Sequence, residues 1–198
     1  MRTFLTVKLA LAPFALFWML LGLATPGLAL AAGGAASLAV TAWRLSRREI
    51  MVLEFGGSAI FLILGAAAPA APDLIADLVA PLSLAGLGLI CLGSVALGRP
   101  WTADYSRAAY AEAANSPLFI RVNMALSALW GVLFLFVAAA RLWHWSAWTT
   151  SGIVLFGAAI TILGPRLIAR LAVRRAMAAA EHDQPPPLAG RAGEARGE

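Results

Sequence analysis

The apolar residues of this chain fall in long blocks separated by short polar punctuation, and several blocks reach the roughly 20 residues that a helix needs to cross a hydrocarbon core. Residues 4–23 form the first block, and the Thr25-Pro26-Gly27 turn separates it from a second at about 27–43. A third runs from Ile50 to Ala68 and a fourth from Leu74 to Leu97, joined by a short Ala/Pro turn with Asp73 and Asp77 beside it. The fifth spans Pro117–Ala140, where Ser116 is placed to cap and Pro117 to occupy the first helical position; the sixth spans Ala147–Leu163. This pattern predicts an all-α fold, a polytopic transmembrane bundle of about six spans over residues 1–175. The remainder, 176–198, is rich in Pro, Gly and charge, buries nothing, and is expected to be a disordered cytoplasmic tail.

Charge gives the orientation. Of the 15 basic residues, a six-span arrangement with both termini in the cytoplasm puts all but Arg141 on the inner side, the positive-inside signature in nearly pure form. Dropping one span would invert part of that pattern. The composition agrees with a membrane class: 61% of the residues are hydrophobic and 13% charged, and the mean hydropathy is +0.82, whereas soluble domains carry about a quarter charged residues. On such a chain an excess of arginine belongs to cytoplasmic loops, so nucleic acid is not expected as a partner. The excess of Arg over Lys and the abundance of Ala read as the codon bias of a GC-rich bacterial genome, and the expected location is a bacterial inner membrane. One alternative stays open at the N-terminus. Arg2 and Lys8, an apolar core and Ala29-Leu30-Ala31 also fit a secretory signal peptide, but cleavage there would leave too few residues before Arg44 to span.

Little in the sequence carries chemistry. Cys91 is the only cysteine and lies in an apolar block, so no disulfide or thiolate metal site forms within one chain. His144 and His182 fall on opposite sides of the predicted membrane, and nothing resembles a catalytic triad; no enzyme activity and no cofactor are expected. Small-residue clusters at Gly56-Gly57-Ser58, Gly86-Leu-Gly88, Gly93 and Ser94 to Gly98 suit close helix packing in lipid. Trp143, Trp145 and Trp148 suit the headgroup level at the outer turn. Arg166, Arg170 and Arg174, beyond a kink at Gly164-Pro165, form a stripe suited to the anionic inner leaflet. Apart from Asp77, beside the turn at the start of the fourth block, Glu54 is the only carboxylate inside an apolar block. Intramembrane carboxylates mark either a pathway or a pair, and here the candidate partners are Arg48, Arg99 and Arg121.

The long polar interruption at 99–117 divides the chain into two halves. It reads as a short amphipathic cytoplasmic helix capped by Thr102, with Trp101, Tyr105, Ala108 and Glu112 on a half-apolar strip that would lie in the inner interface. A plain connector is the competing reading. Arg121 and Asn123 follow in the first turns of the next span, and Asn123 is deep enough to require a hydrogen bond to a neighbouring helix.

Gly98-Arg99-Pro100, the short helix, and then Phe119-Ile120-Arg121-Val122-Asn123 with Trp130 occur in the order found in the intracellular septation protein A family, which this chain resembles over most of residues 10–140; related bacterial inner-membrane families that share the Arg-Pro loop element are the alternative. Residues 102–105 and the tail depart from that pattern. The resemblance implies a nonenzymatic inner-membrane scaffold or accessory factor in cell-envelope maintenance or division, docking other inner-membrane proteins through Arg99, Pro100, Trp101, Tyr105, Arg107, Arg121, Asn123 and Trp130. The partners implied are membrane lipids and other envelope or division proteins, with a homo-oligomer admitted. From the residues alone, a small transporter or lipid-handling protein using Glu54, Arg121 and Asn123 is the alternative.

Overall fold

The computed structural model describes residues 2–49, 51–107, 110, 114–146, 149–150 and 152–161, with side chains from residue 9 onward. Among these the protein is all-helical, without a strand. The chain divides into two compact units, Met1–Gly157 and Ala158–Glu198, and only residues 158–161 of the second are described. The expected kink at Gly164-Pro165, the basic stripe, the tail, Ala108, Glu112, Trp148 and His182 lie outside the described residues.

The helices are α1 (Arg2–Leu21), α2 (Pro26–Ser46), α3 (Val52–Ala67), α4 (Pro72–Ala96), α5 (Trp101–Ser106) and α6 (Pro117–Leu142), followed by α7 (Gly152–Thr161). Three of them, α2, α4 and α6, are long and apolar enough to cross a membrane, while the apolar part of α1 (Leu9–Leu21), α3 and α7 are shorter. The third expected span loses length at its start. The chain leaves α2 only at Ser46, three residues later than its pattern suggests, and needs the next five to reverse, so α3 keeps 16 residues, about 24 Å of helix.

The helix ends follow local chemistry. Thr25 caps α2, its hydroxyl accepting from the Leu28 N–H at 3.4 Å, and Pro26 fills the first helical position. Ser116 does the same for α6, accepting from the Phe119 N–H at 3.1 Å. The C-terminal ends of α2, α4 and α6 close in the same way, with one residue in the left-handed region and paired backward bonds to the last carbonyls. At α4 that residue is Gly98, φ 68°; at α2 it is Arg48, φ 57°, and at α6 His144, φ 58°, where a side chain makes the conformation costly.

Consecutive helices pack as antiparallel neighbours, α1 with α2, α2 with α3 and α3 with α4; α4 then packs most extensively on α6, with α5 tucked under α1, α3, α4 and α6. Lipid supplies no hydrophobic force between helices, so close approach has to be built from small residues or polar bonds. Gly88 and Gly131 bring α4 and α6 together: a Cβ on Gly88 would sit 2.9 Å from the Gly131 carbonyl oxygen, and one on Gly131 would sit 3.2 Å from that of Gly88. Gly33 and Gly57 make room for an aromatic cluster in which Phe61 lies 4.9 Å from Phe14 and 5.3 Å from Phe17, centroid to centroid.

Candidate functional site: a buried charge cluster at one end of the bundle

The reversal between α2 and α3 brings three charged residues into one cluster. With Arg48 in the left-handed region, the Arg48 and Glu49 N–H groups donate back to the carbonyls of Leu45 and Arg44, at 2.9 and 3.0 Å. This folds Glu49 over Arg44. The Arg44 guanidinium, 3% exposed, reaches Glu49 Oε2 through Nη1 at 2.5 Å and stands with Nε 3.3 Å from Glu54 Oε1. Glu54 lies in the first turn of α3, where the helix dipole favours a negative charge. Its other carboxylate oxygen accepts from the Tyr105 hydroxyl at 2.5 Å, and the residue is 3% exposed. Glu54 is thus enclosed between Arg44 of α2 and Tyr105 of α5.

The neighbouring residue of α5 closes the same helix end. Met51 occupies the N-cap position of α3 without a side-chain bond, and Asp104 Oδ2 accepts from the Val52 N–H at 3.4 Å instead. Burial holds the Asp104 carboxyl above the ordinary aspartate range, against the lowering effect of that N–H and of the Arg99 and Arg107 guanidiniums. Burial, and next the negative charge of Glu54, push the Tyr105 phenol up, so that it stays a neutral donor.

A seam of hydroxyls runs from this cluster between α2 and α3. Ser37, Thr41 and Arg44 share one face of α2, and Glu54 and Ser58 one face of α3. Thr41 donates to the Glu54 carbonyl at 3.1 Å, Ser58 lies 2.9 Å from Thr41, and Ser37 lies 3.0 Å from Ser58. With Thr41 donating to that carbonyl, Ser58 donates to Thr41 and Ser37 to Ser58, which gives each hydroxyl an acceptor.

A second polar seam fastens α5 to α6. Thr102 Oγ1 donates to the Asn123 carbonyl at 3.0 Å and lies 3.0 Å from Ser127 Oγ, which accepts from the Thr102 N–H at 3.3 Å. Ser106 Oγ lies 3.1 Å from Asn123 Oδ1, and Asn123 Nδ2 donates to the Phe119 carbonyl at 2.9 Å. The Trp101 backbone N–H donates to Ser94 Oγ of α4 at 3.2 Å.

These positions correct several expectations. Glu54 is paired as one reading held, but with Arg44, not with Arg48, Arg99 or Arg121, all of which are exposed. Trp101 and Tyr105 do not line an interfacial strip: they pack edge to face at 5.8 Å inside the core, because α5 turns its aromatic face toward the bundle. Thr102 is no cap. Pro100, itself buried, precedes α5, and Thr102 cross-links to α6. Asn123 does bond a neighbouring helix, through Ser106. Trp130 stacks on Phe134 at 5.2 Å, nine residues beyond Arg121 and so about 13 Å further along α6; Arg107 and Arg121 are exposed. Sequence reasoning missed Arg44, Tyr105 and Asp104 as partners of α3. The signal for Arg44 lies in the spacing 37, 41, 44, a polar stripe on an otherwise apolar helix. No family model, no curated protein and no solved structure matches the chain.

Proposed function

We propose that this chain is a nonenzymatic scaffold or accessory protein of a bacterial inner membrane, six-spanning with both termini in the cytoplasm, acting in cell-envelope maintenance or division. The observation that carries the reading is the enclosure of Glu54. A transporter using an intramembrane carboxylate needs it to face a polar path, and here it is held by Arg44 and Tyr105. The other two residues of the transport alternative are engaged elsewhere or turned outward: Asn123 is bonded to Ser106, and Arg121 is exposed. The envelope role is supported by the resemblance to the intracellular septation protein A family, and the six spans by the charge distribution.

With Trp101 and Tyr105 inside the core, the large and charged side chains that the described part of the 99–117 segment leaves exposed for docking are Arg99, Arg107 and Tyr110. Affinity purification of the full chain from membranes in mild detergent is expected to recover a defined inner-membrane partner that is lost with Arg107→Ala and Tyr110→Ala together. Unchanged recovery would reduce the segment to a connector. In proteoliposomes, a proton flux that disappears with Glu54→Gln would replace the scaffold reading by transport. Reporters active only in the cytoplasm should work at Ser106 and Glu198, and periplasmic ones near Asp73 and Trp145.

A further inference from the structure

The cluster that encloses Glu54 has a consequence for the surface around it. At this end of the described protein the carboxylates are engaged within the chain: buried Glu54 and half-exposed Glu49 hold Arg44, and Asp104, partly exposed, accepts from the start of α3. The guanidiniums of Arg47, Arg48, Arg99, Arg107 and Arg121 are left exposed. They come from four places, the end of α2, the α4–α5 turn, the end of α5 and the first turns of α6. Large apolar side chains stand exposed next to them in sequence: Trp43 and Leu45 beside Arg47 and Arg48, Leu97 beside Arg99, Tyr110 beside Arg107, and Leu118 beside Arg121. Arg47 lies over the Trp43 ring at 4.5 Å, so one of these guanidiniums is already held at the edge of an apolar surface. The opposite end is different in kind, with Asp73 and Asp77 exposed at the start of α4 and the Arg141 guanidinium turned to the Trp145 carbonyl at 3.4 Å.

A guanidinium next to an exposed Leu, Trp or Tyr matches a molecule with a phosphate head and acyl chains directly beneath it. We propose that this end of the bundle is a binding surface for anionic phospholipid, with Arg99, Arg107 and Arg121 taking the phosphate and Leu97 and Leu118 meeting the chains. Arginine suits the task because its planar fork donates to two phosphate oxygens at once. The pairing of the carboxylates matters as well: Glu54 is buried, and the charge of Glu49 is opposed by Arg44, so less negative charge remains to offset the attraction. The inference rests on the membrane reading, and it shares Arg99 and Arg107 with the docking surface of the scaffold reading.

The test uses the full chain in neutral detergent and a fluorescent phosphatidylglycerol whose binding is read by polarisation. Phosphatidylglycerol should bind in preference to phosphatidylcholine, and soluble glycerophosphate should not compete. Replacing Arg99, Arg107 and Arg121 by Gln should weaken binding roughly fivefold for each arginine removed and on the order of a hundredfold for all three. Replacement of the same three by Lys, which keeps the charge but not the planar fork, should restore only part of the binding lost with Gln, and Arg141→Gln should change nothing. Equal affinity for the two lipids, competition by glycerophosphate alone, or an equal loss with Arg141→Gln would overturn the proposal. Failure of the chain to fractionate with membranes would instead remove the membrane reading beneath it.

Discussion

Two helix pairs in this protein are held together by opposite means. Between α4 and α6 the closest approach is made by Gly88 and Gly131, whose missing side chains let one backbone touch the other. Between α2 and α3 the approach is made by Ser37, Thr41, Arg44, Glu54 and Ser58, a ladder of hydroxyls ending in an ion pair. The first interface depends on shape, and almost any added atom damages it. The second depends on matched partners, and damage comes from removing one and leaving the other. Lipid permits both solutions, since neither relies on expelling water from between the helices.

The largest effect should come from the matched interface. Arg44→Ala leaves Glu54 buried beside Tyr105 without its cation, and should cost about 3–5 kcal/mol in detergent unfolding, the usual range for breaking a buried pair. Replacing Arg44 and Glu54 together by Met and Gln should cost clearly less than the sum of the single changes. Additive costs would show that the pair is not coupled. The shape interface comes next: Gly88→Ala places a methyl group against the Gly131 carbonyl and 2.7 Å from Leu135 Cγ, and should cost about 1–3 kcal/mol. If Gly88→Ala is neutral while Ser58→Ala is severe, the contrast between the two interfaces is reversed. Ser58→Ala itself should cost about 0.6–2 kcal/mol, the range of interhelical hydrogen bonds in membranes, and Asn123→Leu, which releases Ser106, should fall in the same range.

What can be read from the sequence divides along the same line. Hydropathy and the Ser116-Pro117 signal locate α6 to its first residue, and Thr25-Pro26 marks the α1–α2 turn, because caps and apolar runs are local. Partners are not local. Nothing in the spacing of Glu54 distinguishes Arg44 from Arg48, since the choice is made by the reversal at Arg48, where a non-glycine residue adopts a positive φ. The same holds for α5, whose aromatic residues suit the interface as a single amphipathic strip yet turn inward: the Tyr105 hydroxyl finds Glu54, and the backbone N–H groups of Trp101 and Thr102 find Ser94 and Ser127. The strained position of Arg48 yields a smaller prediction of opposite sign. Arg48→Gly should raise stability by up to about 1 kcal/mol, since relief of the left-handed strain exceeds the added freedom of the unfolded chain; a loss would mean that the Arg48 side chain contributes an interaction of its own.

The smallest effect concerns the link between α5 and α3. Asp104 is partly exposed, and its carboxyl is held above its ordinary value of 3.8 by burial, which outweighs the Val52 N–H, Arg99 and Arg107. A raised folded pKa in an acid means that the folded state holds the proton more tightly than the unfolded one. Stability from this group is therefore greatest below the ordinary value and is lost as pH rises through the raised one. Asp104→Asn keeps an oxygen to accept from the Val52 N–H and removes the ionisation. The stability of Asp104→Asn relative to the unaltered protein should rise as pH climbs through that window and level off above it, measured by thermal unfolding in detergent at a series of pH values. Taking the difference cancels every other titrating group that the substitution leaves unperturbed. A relative stability that falls with rising pH would show that Arg99 and Arg107 outweigh burial at Asp104, and that the carboxylate joins α5 to α3 as an ion among guanidiniums and not as a buried acceptor for one backbone N–H.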